Sequence, residues 1–148
     1  MRVEAILETC LYVDDLEAAE RFYCDVLGLG FASRQAGRHV FLRCGPRMLL
    51  LFDPQESSNT DGHFPPHGAI GQGHVAFAVA EMSLGQWTTH LEQRQVAIER
   101  VIDWPGGGRS VYFRDPAGNS LELATPRIWG VSEDTLAAPP EPTADEGY

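Results

Sequence analysis

The sequence predicts an α+β fold: two tandem βαβββ modules whose sheets curl towards one another as a cup. Three observations predict it. The order strand, helix, three strands is written twice. Landmarks recur at a nearly constant spacing: Glu8 and His74 stand 66 residues apart, Leu16 and Leu84 stand 68 apart, and Pro54 and Pro126, which close the last strand of each half, stand 72 apart. One module can bury only the helix side of its sheet and is marginal alone, whereas two create a shared concave face.

The first module spans about residues 4–54. Residues 4–13 alternate as a strand, with Leu7, Thr9, Leu11 and Val13 on one face and Glu8, Cys10 and Tyr12 on the other. Asp14 has the type of an N-cap, and Glu17 completes a capping-box pattern. Leu16, Ala19, Phe22, Tyr23 and Val26 then follow at helical spacing until Gly28, placing a helix at about 15–27. Strands are expected at 31–34, 39–44 and 48–52, separated by Gly37 and by the turn Cys44-Gly45-Pro46-Arg47. A linker at about 55–72, rich in Pro, Gly, Ser, Asn and His, shows no period and reads as a lid or a connector.

The second module spans about residues 73–126. Val75, Phe77 and Val79 form the apolar face of its first strand; His74, Ala76 and Ala78 point the other way. Ser83 and Gln86 repeat the capping-box pattern, and Leu84, Trp87 and Leu91 carry the helix stripe. Strands at 98–103, 109–114 and 120–125 complete it, the last two joined by the turn Asp115-Pro116-Ala117-Gly118-Asn119. Residues 1–130 thus read as one domain, and 131–148, rich in Pro, Ala and acids, as a disordered tail.

A net charge of −10 repels phosphate backbones and argues against nucleic acid as a partner. No stretch is long and apolar enough to span a membrane. The first residues lack the basic-then-apolar shape of a signal peptide. Cys10, Cys24 and Cys44 are odd in number and widely spaced, which fits reduced thiols in a cytoplasmic protein.

Three polar residues occupy matched places. Glu8 and His74 sit in the first strands of the two modules, and Glu122 sits in the last strand of the second. Each points away from its helix-packed face. Glu122 alone is an ordinary solvent-facing strand residue. If the sheets face one another, all three enter one cup, and one His with two carboxylates suits a single divalent ion, Fe, Mn, Zn, Ni or Co, with positions left for substrate or water.

The chain resembles the vicinal oxygen chelate superfamily, which holds glyoxalases, bleomycin- and fosfomycin-resistance proteins and extradiol dioxygenases. The likeness is carried by Leu11-Tyr12-Val13-Asp14-Asp15-Leu16-Glu17, Phe22-Tyr23, Val26-Leu27-Gly28-Leu29, Gly73-His74-Val75-Ala76-Phe77 and the run from Asp115 to Leu123. It implies paired modules around a metal held by Glu8, His74 and Glu122, a small-molecule substrate and a homodimer. Two departures matter. Leu50 stands where the glyoxalase I pattern has a fourth ligand, a Glu that also serves as base. Glu8 stands where the extradiol pattern has its first His.

Tyr112 matches a substrate-contacting Tyr of the extradiol enzymes, and a half-buried sheet Tyr is the plain alternative. Ser110 and Arg114 share its parity; Arg114 suits an anionic substrate group or a surface ion pair. Tyr12 and Trp104 are further candidates for the cup wall. Cys10 lies one pleat from Glu8. His63 and His67 lie in the linker, within reach of the mouth, while His39 and His90 have no evident partner. Gly106-Gly107-Gly108 opens a strand, not a helix, so it reads as a hairpin loop and not as a phosphate cradle. The expected activity is metal-dependent lyase or isomerase chemistry, or ring-cleaving dioxygenation, with Glu122 and Tyr112 as catalytic groups. The alternative is a module that sequesters a flat aromatic antibiotic on Tyr12, Trp104 and Tyr112.

Overall fold

The computed structural model describes residues 1–136. Strand β1 (Glu8–Tyr12) leads to helix α1 (Leu16–Asp25), then β2 (Gly30–Gln35), β3 (His39–Cys44) and β4 (Arg47–Phe52). After a single helical turn, α2 (Pro54–Ser57), the order repeats: β5 (His74–Ala78), α3 (Leu84–Gln93), β6 (Arg100–Asp103), β7 (Arg109–Arg114) and β8 (Ser120–Ala124). The two sheets have the same strand order, β1-β4-β3-β2 and β5-β8-β7-β6. In each, the first strand pairs in parallel with the last and the other pairs are antiparallel. The duplication is therefore a repeat of topology as well as of sequence.

Alternation sorts the sheet faces as the sequence implies. Leu11 and Val13 are buried, Glu8 and Cys10 exposed. The buried faces meet the helices in one continuous core. Leu11, Tyr23, Leu42 and Leu51 of the first module join Leu84, Leu91, Val111, Phe113, Leu121 and Leu123 of the second. Each such side chain contributes roughly 1.5–3 kcal/mol on leaving water. The rings of Phe22 and Phe113 cross the module boundary, 6.5 Å apart.

Helix ends differ from expectation in instructive ways. The cap of α1 is Asp15, not Asp14: the backbone stays extended through Asp15, whose Oδ1 accepts the Ala18 N–H at 2.9 Å. Glu17 therefore sits inside the first turn and contributes charge there instead of closing a capping box. Gly28, at φ +70°, lets the Leu29 N–H turn back to Tyr23 O. Ser83 is not a cap at all. A 3-10 turn (Glu81–Ser83) feeds straight into α3, so Ser83 is already helical and its hydroxyl donates to Ala80 O.

The linker is more ordered than a structureless connector. Asp53 caps α2 by accepting from the Gln55 and Glu56 N–H groups, and His67 N–H donates to Ser57 O. Within the expected tail, Glu133–Thr135 forms a 3-10 turn, and the Glu81 N–H donates to the Glu133 carboxylate at 2.7 Å. The rest of that tail, 137–148, lies outside the described residues. Among the described residues no helix is long and apolar enough to cross a membrane.

A buried carboxylate bridges the modules. Asp115 Oδ2 accepts the Tyr23 hydroxyl at 2.8 Å and the Asn119 side-chain amide at 2.9 Å, while Oδ1 accepts the Asn119 N–H at 2.8 Å. Burial, then the Asp115 charge, drive the Tyr23 phenol far above its ordinary pKa, so it remains a donor. Tyr23→Phe removes one hydrogen bond to a charged group and leaves the ring in place. It should cost about 1.5–3 kcal/mol, read as a lower urea midpoint at an unchanged m-value.

Candidate metal centre

The second sheet brings two of the three expected ligands together. β5 pairs with β8 so that His74 faces Ser120 and Ala76 faces Glu122. Glu122 thus lies one pleat along from His74 on the same open face. His74 Nε2 is 3.3 Å from Glu122 Oε2. The ring is anchored at its other nitrogen: Nδ1 is 3.0 Å from Ser120 O, and a carbonyl can only accept, so Nδ1 donates. In the neutral imidazole the lone pair is then on Nε2, aimed at the carboxylate. This tautomer control is what a histidine ligand requires.

Glu122 is only 5% exposed, and its Oε1 is buried without a hydrogen-bond partner. An ionised carboxylate in that setting is costly unless a cation shares it. A borderline imidazole nitrogen and a hard carboxylate oxygen, 3.3 Å apart, fit a divalent ion of the Mn to Zn series.

Glu8 is exposed on the open face of β1, across from Met48. Among the described residues no three His, Cys, Asp or Glu side chains gather closely enough to hold one ion, so Glu8 does not join His74 and Glu122 within its own chain. Leu50, at the place on β4 that Glu122 holds on β8, is buried between Cys10 and Phe41 in the ladder.

Tyr112 lies directly across the ladder from Glu122, and its ring stacks near His74 at 6.3 Å between centroids. Burial first, and then the Glu122 charge, raise its phenol pKa, so the hydroxyl keeps its proton. Trp104 flanks this face, its indole N–H donating to Ser110 Oγ at 2.8 Å. Arg114 is committed elsewhere. Its Nε and Nη2 fork onto Glu99 at 2.7 and 3.0 Å, and Nη1 donates to Gln72 Oε1 and Gly118 O. An anionic substrate would have to displace Glu99.

Tyr12 belongs to the first sheet. Its hydroxyl is hydrogen-bonded to His67 Nδ1 at 2.8 Å, which draws the linker onto that face. The His67 ring meets Phe52 edge-on at 4.6 Å, and His39 stacks on Phe41 at 4.0 Å, with Phe52 closing the cluster. Burial and the adjacent Arg38 lower the His39 pKa and keep it neutral. This ring cluster escaped the sequence reading, although His39 and Phe41 stand two apart and so share a face. His90 also gains a partner, donating from Nε2 to Val26 O at 2.8 Å. Cys10, Cys24 and Cys44 are all free thiols.

A family model for the glyoxalase/bleomycin resistance protein/dioxygenase superfamily matches residues 5–123. The chain belongs to that superfamily. Among superfamily relatives, the glutathione transferase FosA of Serratia marcescens is 31% identical over 129 residues, 82% of this chain and 80% of that protein. The metallothiol transferase FosB of Staphylococcus epidermidis is 28% identical over 127 residues, 84% of each. Of solved structures, lactoylglutathione lyase from Agrobacterium tumefaciens is 48% identical, with a TM-score of 0.86 over 88% of this chain and all of that one.

The orphaned carboxylate oxygen has a measurable consequence. Without metal, Glu122→Gln should raise stability by about 1 kcal/mol, because it removes a buried charge and keeps the volume. Adding a divalent ion should raise the melting temperature of the wild type and leave the variant unmoved, as differential scanning fluorimetry would show.

Proposed function

We propose that this protein is a divalent-metal-dependent enzyme acting on a small substrate with two neighbouring oxygens, in transferase or lyase chemistry that involves a thiol. One observation carries the reading: His74 Nε2 lies 3.3 Å from Glu122 Oε2, Nδ1 is occupied by Ser120 O, and the second Glu122 oxygen is buried and unpartnered. The thiol follows from the relatives, whose names specify glutathione, a thiol and lactoylglutathione. Ring-cleaving dioxygenation is less well supported, because Glu8 replaces a histidine of that pattern.

A divalent ion held by His74 and Glu122 would act as a Lewis acid on the chelated oxygens. Glu8 supplies a further donor from a second copy of the chain, because it reaches neither residue in its own; the working form is then a homodimer. Tyr112, protonated and beside Glu122, donates a hydrogen bond that orients the substrate. Trp104 and Ser110 wall the same face, and Tyr12 with His67 belongs to the wall brought by the partner. Leu50 offers no base, so isomerisation of the glyoxalase I kind lacks its proton acceptor on this strand. The three free thiols support a reducing, cytoplasmic setting.

The ring cluster of His39, Phe41 and Phe52 favours a second reading, a non-catalytic module that sequesters a flat aromatic antibiotic. Elemental analysis separates the two. About one metal per chain is expected in the wild type, with none in a Glu8→Gln, His74→Ala, Glu122→Gln triple variant. Turnover in a screen of thiol adducts, epoxides and catechols should collapse in Glu122→Gln. Absence of metal after reconstitution would sink the enzyme reading and leave the binding module.

A further inference from the structure

The turn between β7 and β8 holds a buried group that the chemistry above does not use. Asn119 is 1% exposed, and its side-chain amide makes three hydrogen bonds. Oδ1 accepts the Gly73 N–H at 2.7 Å. Nδ2 donates to Tyr12 O at 3.1 Å and to Asp115 Oδ2 at 2.9 Å. Only one orientation of the amide satisfies all three partners, because Gly73 offers a donor and the other two offer acceptors.

The next residue continues the pattern. Ser120 N–H donates to Gly73 O at 2.9 Å, and Ser120 O accepts His74 Nδ1 at 3.0 Å. Both backbone groups of Gly73 are therefore held by consecutive residues, 119 and 120, and the His74 ring is held by the second of them. Glycine at residue 73 eases this approach. A Cβ there would lie 2.9 Å from Leu11 Cδ2 and 3.3 Å from Asn119 Oδ1.

We infer that Asn119 is the positioning residue for His74: by clamping Gly73 against the start of β8 it sets where the imidazole stands and which nitrogen it presents. Asp115 supports the amide from behind. Aspartate in place of Asn119 would lose both donors and bring a second carboxylate against Asp115. Serine would stop one atom short of Gly73. The inference rests on the metal-site reading for its purpose, while the clamp itself is a property of the metal-free chain.

The test compares Asn119→Ala with Tyr23→Phe. Both weaken the same buried network, but only the first touches the clamp. In the metal-free protein, nitrogen-15 NMR should show His74 Nδ1 protonated and hydrogen-bonded in the wild type and in Tyr23→Phe, and exchanging its proton with Nε2 in Asn119→Ala. Titration with Co²⁺ should show affinity falling by roughly 10–100-fold in Asn119→Ala, the usual loss when the partner of a ligand is removed, and holding in Tyr23→Phe. If the alanine variant does not fold, Asn119→Ser keeps a polar group in the site and carries the comparison. A wild-type tautomer in the Asn119 variant, or affinity losses that merely track melting temperature in both variants, would overturn the inference. Should the wild type take up no Co²⁺, the metal-site reading fails, and the tautomer comparison still decides the role of Asn119.

Discussion

The Asp115 carboxylate is the joint on which the two modules turn. It is buried, so its charge must be met by hydrogen bonds, and it takes them from both halves of the chain: Tyr23 on α1 and Asn119 on the second module's last turn. A buried acceptor with three donors is weakened when any one of them is removed. The joint adds a directional link between the modules to the non-directional apolar contact of Phe22 with Phe113. Its effect extends through Asn119 to Gly73, and hence to the backbone that carries His74. Core packing and the placement of the candidate ligand depend on the same few atoms.

Duplication explains why the site is lopsided. Two copies of one βαβββ unit offer two equivalent pairs of positions, Glu8 with Leu50 and His74 with Glu122. In the second copy both are polar and meet at 3.3 Å. In the first, Leu50 is buried beside Phe41, so the open face is apolar and lined with rings. On the proposed reading the two faces divide the work of one cup: one would present donors to a cation and the other presents aromatic rings. Glu8 is a carboxylate that the first module leaves exposed, and the proposed site draws it from a second copy.

Much of this was legible before any coordinates. Period-two alternation assigned Glu8, His74 and Glu122 to open faces, and the repeated element order predicted two matching sheets. Local chemistry was less reliable. Asp14 and Asp15 are adjacent and equally suited to capping, and only the point where β1 lets go decides between them. Ser83 carries the right residue type, but the chain has already turned when it arrives. Least legible were bonds between residues distant in sequence. Asn119 reads as a turn former, and its role as a clamp on Gly73 depends on a contact 46 residues away. Arg114 has the parity of a wall residue and a partner, Glu99, that no periodicity announces.

The incomplete solvation of Glu122 connects stability to function. A protein selected for stability alone would not keep a buried carboxylate oxygen without a donor, since a glutamine or a leucine would serve the fold better. Its twin position shows that leucine is accepted by the fold, because Leu50 occupies it. Residue 122 is therefore a carboxyl group where the fold would accept an apolar side chain, and His74 is held facing it with Nδ1 occupied by Ser120 O. His74, when protonated, offsets part of the cost of that carboxylate from inside the chain, and a metal cation shared by the two residues would offset more. A cation held by the two residues would relieve that cost directly, whereas a flat aromatic guest on the ring cluster of the first module would leave the carboxylate as costly as before. That asymmetry is why the metal-dependent reading outranks sequestration.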